Sequence, residues 1–382
     1  MLLTPIENNL GNQYVPDEVS APGETLQEVL EERRMTQTEL AERLGLAHKT
    51  VNQIIRGKAP LTYATALGLE TVLGIPASFW TAYETAYRES LTRKEVSQKL
   101  AEYTSWLNEL PWKKAMALGW VRPQPSHLEQ MMEILRFFGV ASPKQYQEVY
   151  GSLAVQWKRS MKFPIDPGAT AFWLRRGELD AAELERSPNL EWKEYDPREF
   201  ERRLEEARAL TREREPACFV PALQRLCALS GVAVVFVPEL AGTRAGGAAR
   251  WLSPGRALIQ LSLRYKTNDH LWFRFYHEAA HVLKHSKKRV FLEQDKQDPD
   301  DQEREADEFA QDFLIPPREY RALGFLGKPS KEGVERFAAR IGIDAGVVVG
   351  RLQNDQVIPR NWFNDLKQRY EWDQADPHEK GG

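Results

Sequence analysis

Residues 271–283, LWFRFYHEAAHVL, form a helical run apolar enough to be buried, yet they carry His277, Glu278 and His281. Burying two imidazoles and a carboxylate without partners is costly, so this run constrains the fold around it. Residues four apart on a helix differ by about 40° in azimuth, so His277 and His281 point at one spot and can share a cation. Glu278 stands beside that spot, where a carboxylate can take a proton from water activated by the metal. Two core histidines satisfied by hydrogen bonds are the other way to account for the same residues.

An open tetrahedral site needs a third protein ligand. A histidine six residues beyond His281 would supply one, but that position is Lys287. Downstream, EREADEFAQDFLIP (303–316) puts Glu303 and Asp307 four apart on a helix whose apolar side is Ala306, Phe309, Ala310 and Phe313. This E-x-x-x-D arrangement resembles that of gluzincin peptidases. The resemblance makes Glu303 the third ligand and Asp307 an acceptor that steadies a ligand histidine. Glu305 is the rival ligand, but it lies about 200° around the helix from Glu303. His285 falls on the broad face of His281 near the helix end and is expected to be solvated.

The rest of the chain divides by texture. Its 382 residues imply two or three domains, and its net charge of −3 excludes a globally basic nucleic-acid binder. No apolar run approaches the ~20 residues of a membrane span, so no membrane partner is expected. Two cysteines, Cys218 and Cys227, make no disulfide framework and suit a reducing cytoplasm. Residues 1–22 are expected to be a flexible arm, 23–94 a bundle of short helices, and 95–230 a helical region that serves as a link or as a sensor. That middle region is rich in Trp and Phe, and aromatic stripes are more often core than ligand pocket. Residues 200–214 alternate charge at helical spacing, which predicts an exposed helix face. GVAVVFVPEL (231–240) and ALIQLSL (257–263) read as strands, with a further short strand between them. A helix should begin near Thr267-Asn268-Asp269 and run through His285, followed by a charged loop at 286–302. Another helix at 303–314 should stop at Pro316-Pro317. Residues 328–372 read as C-terminal helices and 373–382 as a tail.

Within the first bundle, Thr36-Gln37-Thr38-Glu39 has the form of a capping box, and Gly45 can end the helix it starts. A second helix runs from about His48 to Arg56. Leu40, Ala41, Leu44, Val51, Ile54 and Ile55 form one apolar seam between the two. Around the outer face stand Gln37, His48, Lys49, Thr50, Asn52, Gln53, Arg56 and Lys58, side chains able to meet base edges and phosphates. Arg33 to Lys58 holds six Lys/Arg and two Glu, a local +4 inside a chain of net −3.

TQTELAERLGLAHKTVNQIIRGK resembles the helix-turn-helix domain of the XRE/Cro family, in particular its HigA-like antitoxin branch. HEAAH (277–281) and E-x-x-A-D-x-F-A-x-x-F-L-I-P (303–316) resemble the ImmA/IrrE zinc peptidases over about residues 231–320, within an expected peptidase domain of 231–327. The wider chain, including WLRRGE (173–178) and GVVVGRLQ (346–353), is similar to long HigA-like regulators that fuse the two. The fold class expected is α+β and mostly helical: a helix-turn-helix bundle, a helical middle region and a small-sheet, gluzincin-like zinc peptidase domain. The resemblance implies Zn2+ as cofactor, held by His277, His281 and Glu303. It also implies Glu278 as general base for a water attacking a peptide carbonyl, and a transcription regulator as the protein cut. A substrate strand is expected at the sheet edge around 248–263.

Two functions fit. One is a cytoplasmic, homodimeric regulator of a palindromic DNA operator with a working zinc metallo-endopeptidase that cuts a regulator, a toxin or itself on a signal. The other is a repressor or antitoxin whose zinc domain is a non-catalytic interaction or sensor module for its cognate toxin. An ordinary degradative protease would have no use for a recognition helix.

Overall fold

The computed structural model describes residues 19–151, 166–285, 291–293, 301–322 and 329–372. The chain divides into two compact units, Met1–Thr104 and Ser105–Gly382.

The first unit is helical: α1 (Pro22–Glu32), α2 (Gln37–Leu44), α3 (His48–Ile55), α4 (Tyr63–Leu73) and α5 (Ala77–Ala101). Thr36 caps α2 by accepting the Glu39 N–H at 3.1 Å. The capping box is only half realised, because the Glu39 carboxylate turns to Arg43, an i,i+4 partner at 2.6 Å. Gly45 ends α2 in the left-handed region at φ 65°. Leu40, Ala41, Val51 and Ile54 are buried together with Leu26, Leu30, Leu69 and Trp80, while Leu44 and Ile55 are partly buried at the margin of that core. Ala21, Pro22 and Gly23 are buried and α1 starts at Pro22, so the end of the expected arm at 1–22 belongs to the bundle. Residues 1–18 lie outside the described residues. α5 runs unbroken through residues 94 and 95.

The second unit begins with α6 (Trp112–Ala117), α7 (His127–Phe138) and α8 (Pro143–Tyr146), followed by α9 (Pro167–Glu185), α10 (Pro197–Ala207) and α11 (Pro216–Ala228). Then come β1 (Val232–Phe236), β2 (Gly247–Ser253), β3 (Arg256–Leu261), α12 (Asn268–Lys284) and β4 (Phe291–Glu293). α13 (Asp301–Leu314), α14 (Pro317–Ala322), α15 (Lys331–Ile341) and α16 (Ala345–Asn354) complete it. The sheet order is β1-β3-β2-β4, with β1 parallel to β3 and β2 antiparallel to β3 and to β4.

β1 is apolar throughout because both faces of the sheet are covered. Val232 and Val234 face a core shared with α12, α15 and α16. Ala233 and Val235 face the other way, onto Trp173, Leu174 and Ala181 of α9. Most of the middle-region aromatics are core, as the commoner role for such stripes suggests, while Trp112 and Trp120 are half-buried and Tyr103 is exposed. Phe137, Phe138, Phe172, Tyr146 and Tyr150 meet ring to ring at centroid distances of 4.7–5.4 Å. Trp157 lies outside the described residues. α10 has the expected exposed charged face, paired Arg202–Glu199 and Arg203–Glu206, over buried Phe200, Leu204 and Ala207.

Two local expectations fail. Residues 286–302 are not all loop, since Phe291–Glu293 pairs with Gly247–Ala249. Thr267 makes no side-chain cap for α12; instead Asn268 Oδ1 accepts the N–H of Asp269 (3.0 Å) and of Gln368 (3.1 Å). The last described segment therefore covers the first turn of α12, and Lys367 donates to the buried Asp269 carboxylate at 2.6 Å. Residues 286–290, 294–300 and the tail 373–382 lie outside the described residues.

Candidate functional site

α12 and α13 pack side by side, and the polar residues of both meet at one buried point. His277 Nε2 and His281 Nε2 are 3.0 Å apart. Glu303 Oε2 lies 3.4 Å from His277 Nε2, and Glu303 Oε1 lies 3.9 Å from His281 Nε2. The two histidines are 1% exposed and Glu303 7%. One donor atom from each of the three lies within 4.8 Å of the others. Glu305, the rival ligand, is outside this group; its half-exposed carboxylate pairs with Lys284 at 3.1 Å.

Asp307 Oδ1 lies 2.8 Å from His277 Nδ1 and accepts the proton there, which leaves the Nε2 lone pair facing the pocket. Two ring nitrogens and a carboxylate thus crowd one dry spot with electron pairs. Only a proton or a cation between them relieves that. Burial opposes a charge on His277, but the hydrogen bonds to Asp307 and Glu303 and the Glu278 charge outweigh it and hold its pKa up at about 9. A two-nitrogen, one-oxygen donor set at this spacing fits a borderline cation such as Zn2+. The residues present therefore fit the metal that the sequence motif implies.

Glu278 is fully buried and faces β2. A Cβ on Gly247 would stand 2.5 Å from Glu278 Oε1 and 2.8 Å from its Cγ, so the first residue of β2 must be glycine to admit this carboxylate. The sequence signal was the Gly246-Gly247 pair, which reads as loop until β2 is placed. The expected substrate edge at 248–263 is narrowed: β3 is interior and β4 pairs with β2 at Gly247–Ala249, so among the described residues the part of that range beyond β4 is residues 250–253 of β2.

His285 is not solvated. α12 ends at Lys284, and the extended backbone of His285 (φ −108°, ψ 166°) returns its ring over His281. Its side chain is 3% exposed, its Nδ1 is 2.8 Å from His281 Nδ1, and its Nε2 is 3.3 Å from Glu305 Oε2. The signal in the sequence was the i, i+4, i+8 spacing of His277, His281 and His285.

In the first unit, His48, Lys49, Arg56 and Lys58 are exposed, and Gln37, Thr50, Asn52 and Gln53 half-buried. Asn52 Nδ2 donates to Gln37 Oε1 at 3.1 Å, and Gln37 Nε2 donates to Gln27 Oε1 at 2.9 Å. Those two candidate contacts are thus already held by a side-chain chain that joins α1, α2 and α3.

Residues 26–80 match the family described as helix-turn-helix, and residues 231–353 match Peptidase M78, the IrrE N-terminal-like domain. The chain carries an N-terminal helix-turn-helix domain and a C-terminal IrrE-like domain. The IrrE-like match runs through α15 and α16, whose Val334, Phe337, Val347 and Val348 share one core with the sheet and α12. Solved structures similar to the chain include an addiction-module antidote protein of the HigA family from Coxiella burnetii, 28% identical. That match covers 22% of this chain and 94% of that one, at a TM-score of 0.21. Another is the Pseudomonas aeruginosa antitoxin HigA with the higBA promoter, 25% identical, covering 22% of this chain and 90% of that one at a TM-score of 0.21. No curated protein matches the chain. Among the described residues, no helix is long and apolar enough to cross a membrane.

Proposed function

We propose that this protein is an antitoxin-like transcription regulator with a zinc metallo-endopeptidase domain that cleaves a regulatory protein, a toxin or its own chain on a signal. The observation that carries the proposal is the meeting of His277, His281 and Glu303 beside the buried carboxylate of Glu278. His277, His281 and Glu303 hold the zinc. The ion, when bound, acts as a Lewis acid toward water and a carbonyl oxygen. Asp307 keeps the His277 ring turned with Nε2 inward. Glu278 takes the proton of the attacking water on a carboxylate oxygen and passes it to the departing amide nitrogen.

On the DNA side, Lys49, Thr50, Asn52 and Gln53 read base edges, supported by His48 and Gln37, and Arg56 and Lys58 meet phosphates. The protein works as a homodimer on a palindromic operator, in the cytoplasm, where its two free cysteines stay reduced. We assign residues 23–94 to DNA reading, 95–230 to a linking region and 231–327 to peptidase chemistry, followed by the helices of 328–372.

The test is elemental analysis of the purified full-length protein, followed by incubation with the proteins encoded beside it. About one zinc per chain and a discrete cleavage product are expected. A fully zinc-loaded protein that cuts none of them, yet represses its operator, would instead make the zinc domain an interaction module.

A further inference from the structure

We propose that His285 and Glu305 form an orienting relay for His281: Glu305 fixes His285, and His285 fixes the ring that faces the metal pocket. The proposal rests on the metal reading of His277, His281 and Glu303 above.

The two nitrogens of an imidazole lie on opposite sides of the ring. His281 turns Nε2 to the pocket, 3.0 Å from His277 Nε2, and Nδ1 to His285 Nδ1 at 2.8 Å. If Nε2 is to offer a lone pair to a cation, the proton of His281 sits on Nδ1 and is donated to His285. The His285 proton then sits on its Nε2, which lies 3.3 Å from the acceptor Glu305 Oε2. Each contact has one donor and one acceptor, and the chain ends on a carboxylate. The reverse order would put a proton on His281 Nε2 and block the pocket.

The two candidate ligand histidines are thus oriented by different means. His277 reaches its carboxylate, Asp307, directly. His281 reaches Glu305 through an intervening ring. His285 is a positioning residue and not a ligand, because it meets the nitrogen of His281 that points away from Glu303. Its 3% side-chain exposure means that its polar atoms have to be met inside the protein. Glu305 is held on its other side by Lys284 Nζ at 3.1 Å, so the relay is tied to the last turn of α12 at both ends.

The experiment is chelator competition for zinc on the full-length protein, with thermal unfolding of each variant as a fold control. His285→Ala and Glu305→Ala should each weaken zinc binding by about 10–100-fold. The double variant should be no weaker than His285→Ala, because the first cut already disconnects Glu305. His285→Gln should recover part of the loss, since its amide oxygen can accept from His281. Glu305 is half-exposed, so Glu305→Ala reports on the relay even if His285→Ala fails to fold. Wild-type affinity in Glu305→Ala, or losses that add in the double variant, would overturn the relay. A wild-type protein that binds no zinc would overturn the metal reading, and the relay with it.

Discussion

α3 and α12 both carry the polar residues a function needs, but α3 presents them to water and α12 presents them to the protein interior. His48 and Lys49 of α3 and Arg56 at its C-terminal cap are exposed to solvent. His277, Glu278 and His281 are at most 1% exposed, and their surroundings have to be built: Asp307 for His277, His285 for His281, a glycine for Glu278. A functional face in water tolerates substitution of its neighbours. A functional cluster in a core does not, because close packing passes a small displacement directly to the reacting groups.

That contrast can be broken first at Gly247. Gly247→Ala adds one carbon 2.5 Å from Glu278 Oε1 and 2.8 Å from its Cγ, so the Glu278 side chain has to shift. Peptide hydrolysis should fall on the order of 10²-fold with zinc content unchanged, as expected for misplacing a general base. Unaltered turnover would mean that Glu278 has room to move or does not act.

The exposed helix should respond more mildly and without loss of stability. Lys49→Ala and Gln53→Ala should each weaken binding to the specific operator by ~1–3 kcal/mol, measured by titration at fixed salt, while unfolding temperatures stay the same. Loss of affinity that tracks loss of stability would mean these side chains support the fold. The smallest effect is expected at Arg56. Arg56→Ala should lower affinity on all sequences alike and reduce the slope of log affinity against log salt by about 1. A sequence-dependent loss there would make Arg56 a base reader.

The same contrast explains what the sequence could reveal. HEAAH was legible because polar residues at strict spacing inside an apolar helix are expensive unless they meet partners. E-x-x-x-D, on a strongly charged helix, was legible through its resemblance to gluzincin peptidases; the residues of the two do meet. β1 was legible because a strand covered on both faces has to be apolar at every position. The seam of α2 and α3 was legible from helical period and Gly45. By contrast, β4 is three residues long, and what defines it is its pairing with Gly247–Ala249, which no local pattern encodes. The burial of His285 is not legible in the sequence because it depends on the helix ending one residue earlier, which turns the ring back toward His281. The second half of the Thr36–Glu39 capping box was lost to Arg43, an i,i+4 partner that competes for the same carboxylate. The cap of α12 was hidden for a further reason: its first turn is covered by residues about a hundred positions away.

The most direct test of the account is Glu278→Gln, assayed for zinc content, operator affinity and cleavage of the partner protein in the same preparation. Glu278 lies beside the three candidate ligands and is not one of them. The amide keeps the shape of the side chain but cannot take up the proton of the attacking water. Zinc and operator binding should therefore match the wild type, while cleavage falls on the order of 10²–10⁴-fold and the partner protein stays full-length when the signal arrives. Cleavage and signal response at wild-type levels in a zinc-loaded Glu278→Gln protein would contradict the peptidase mechanism outright.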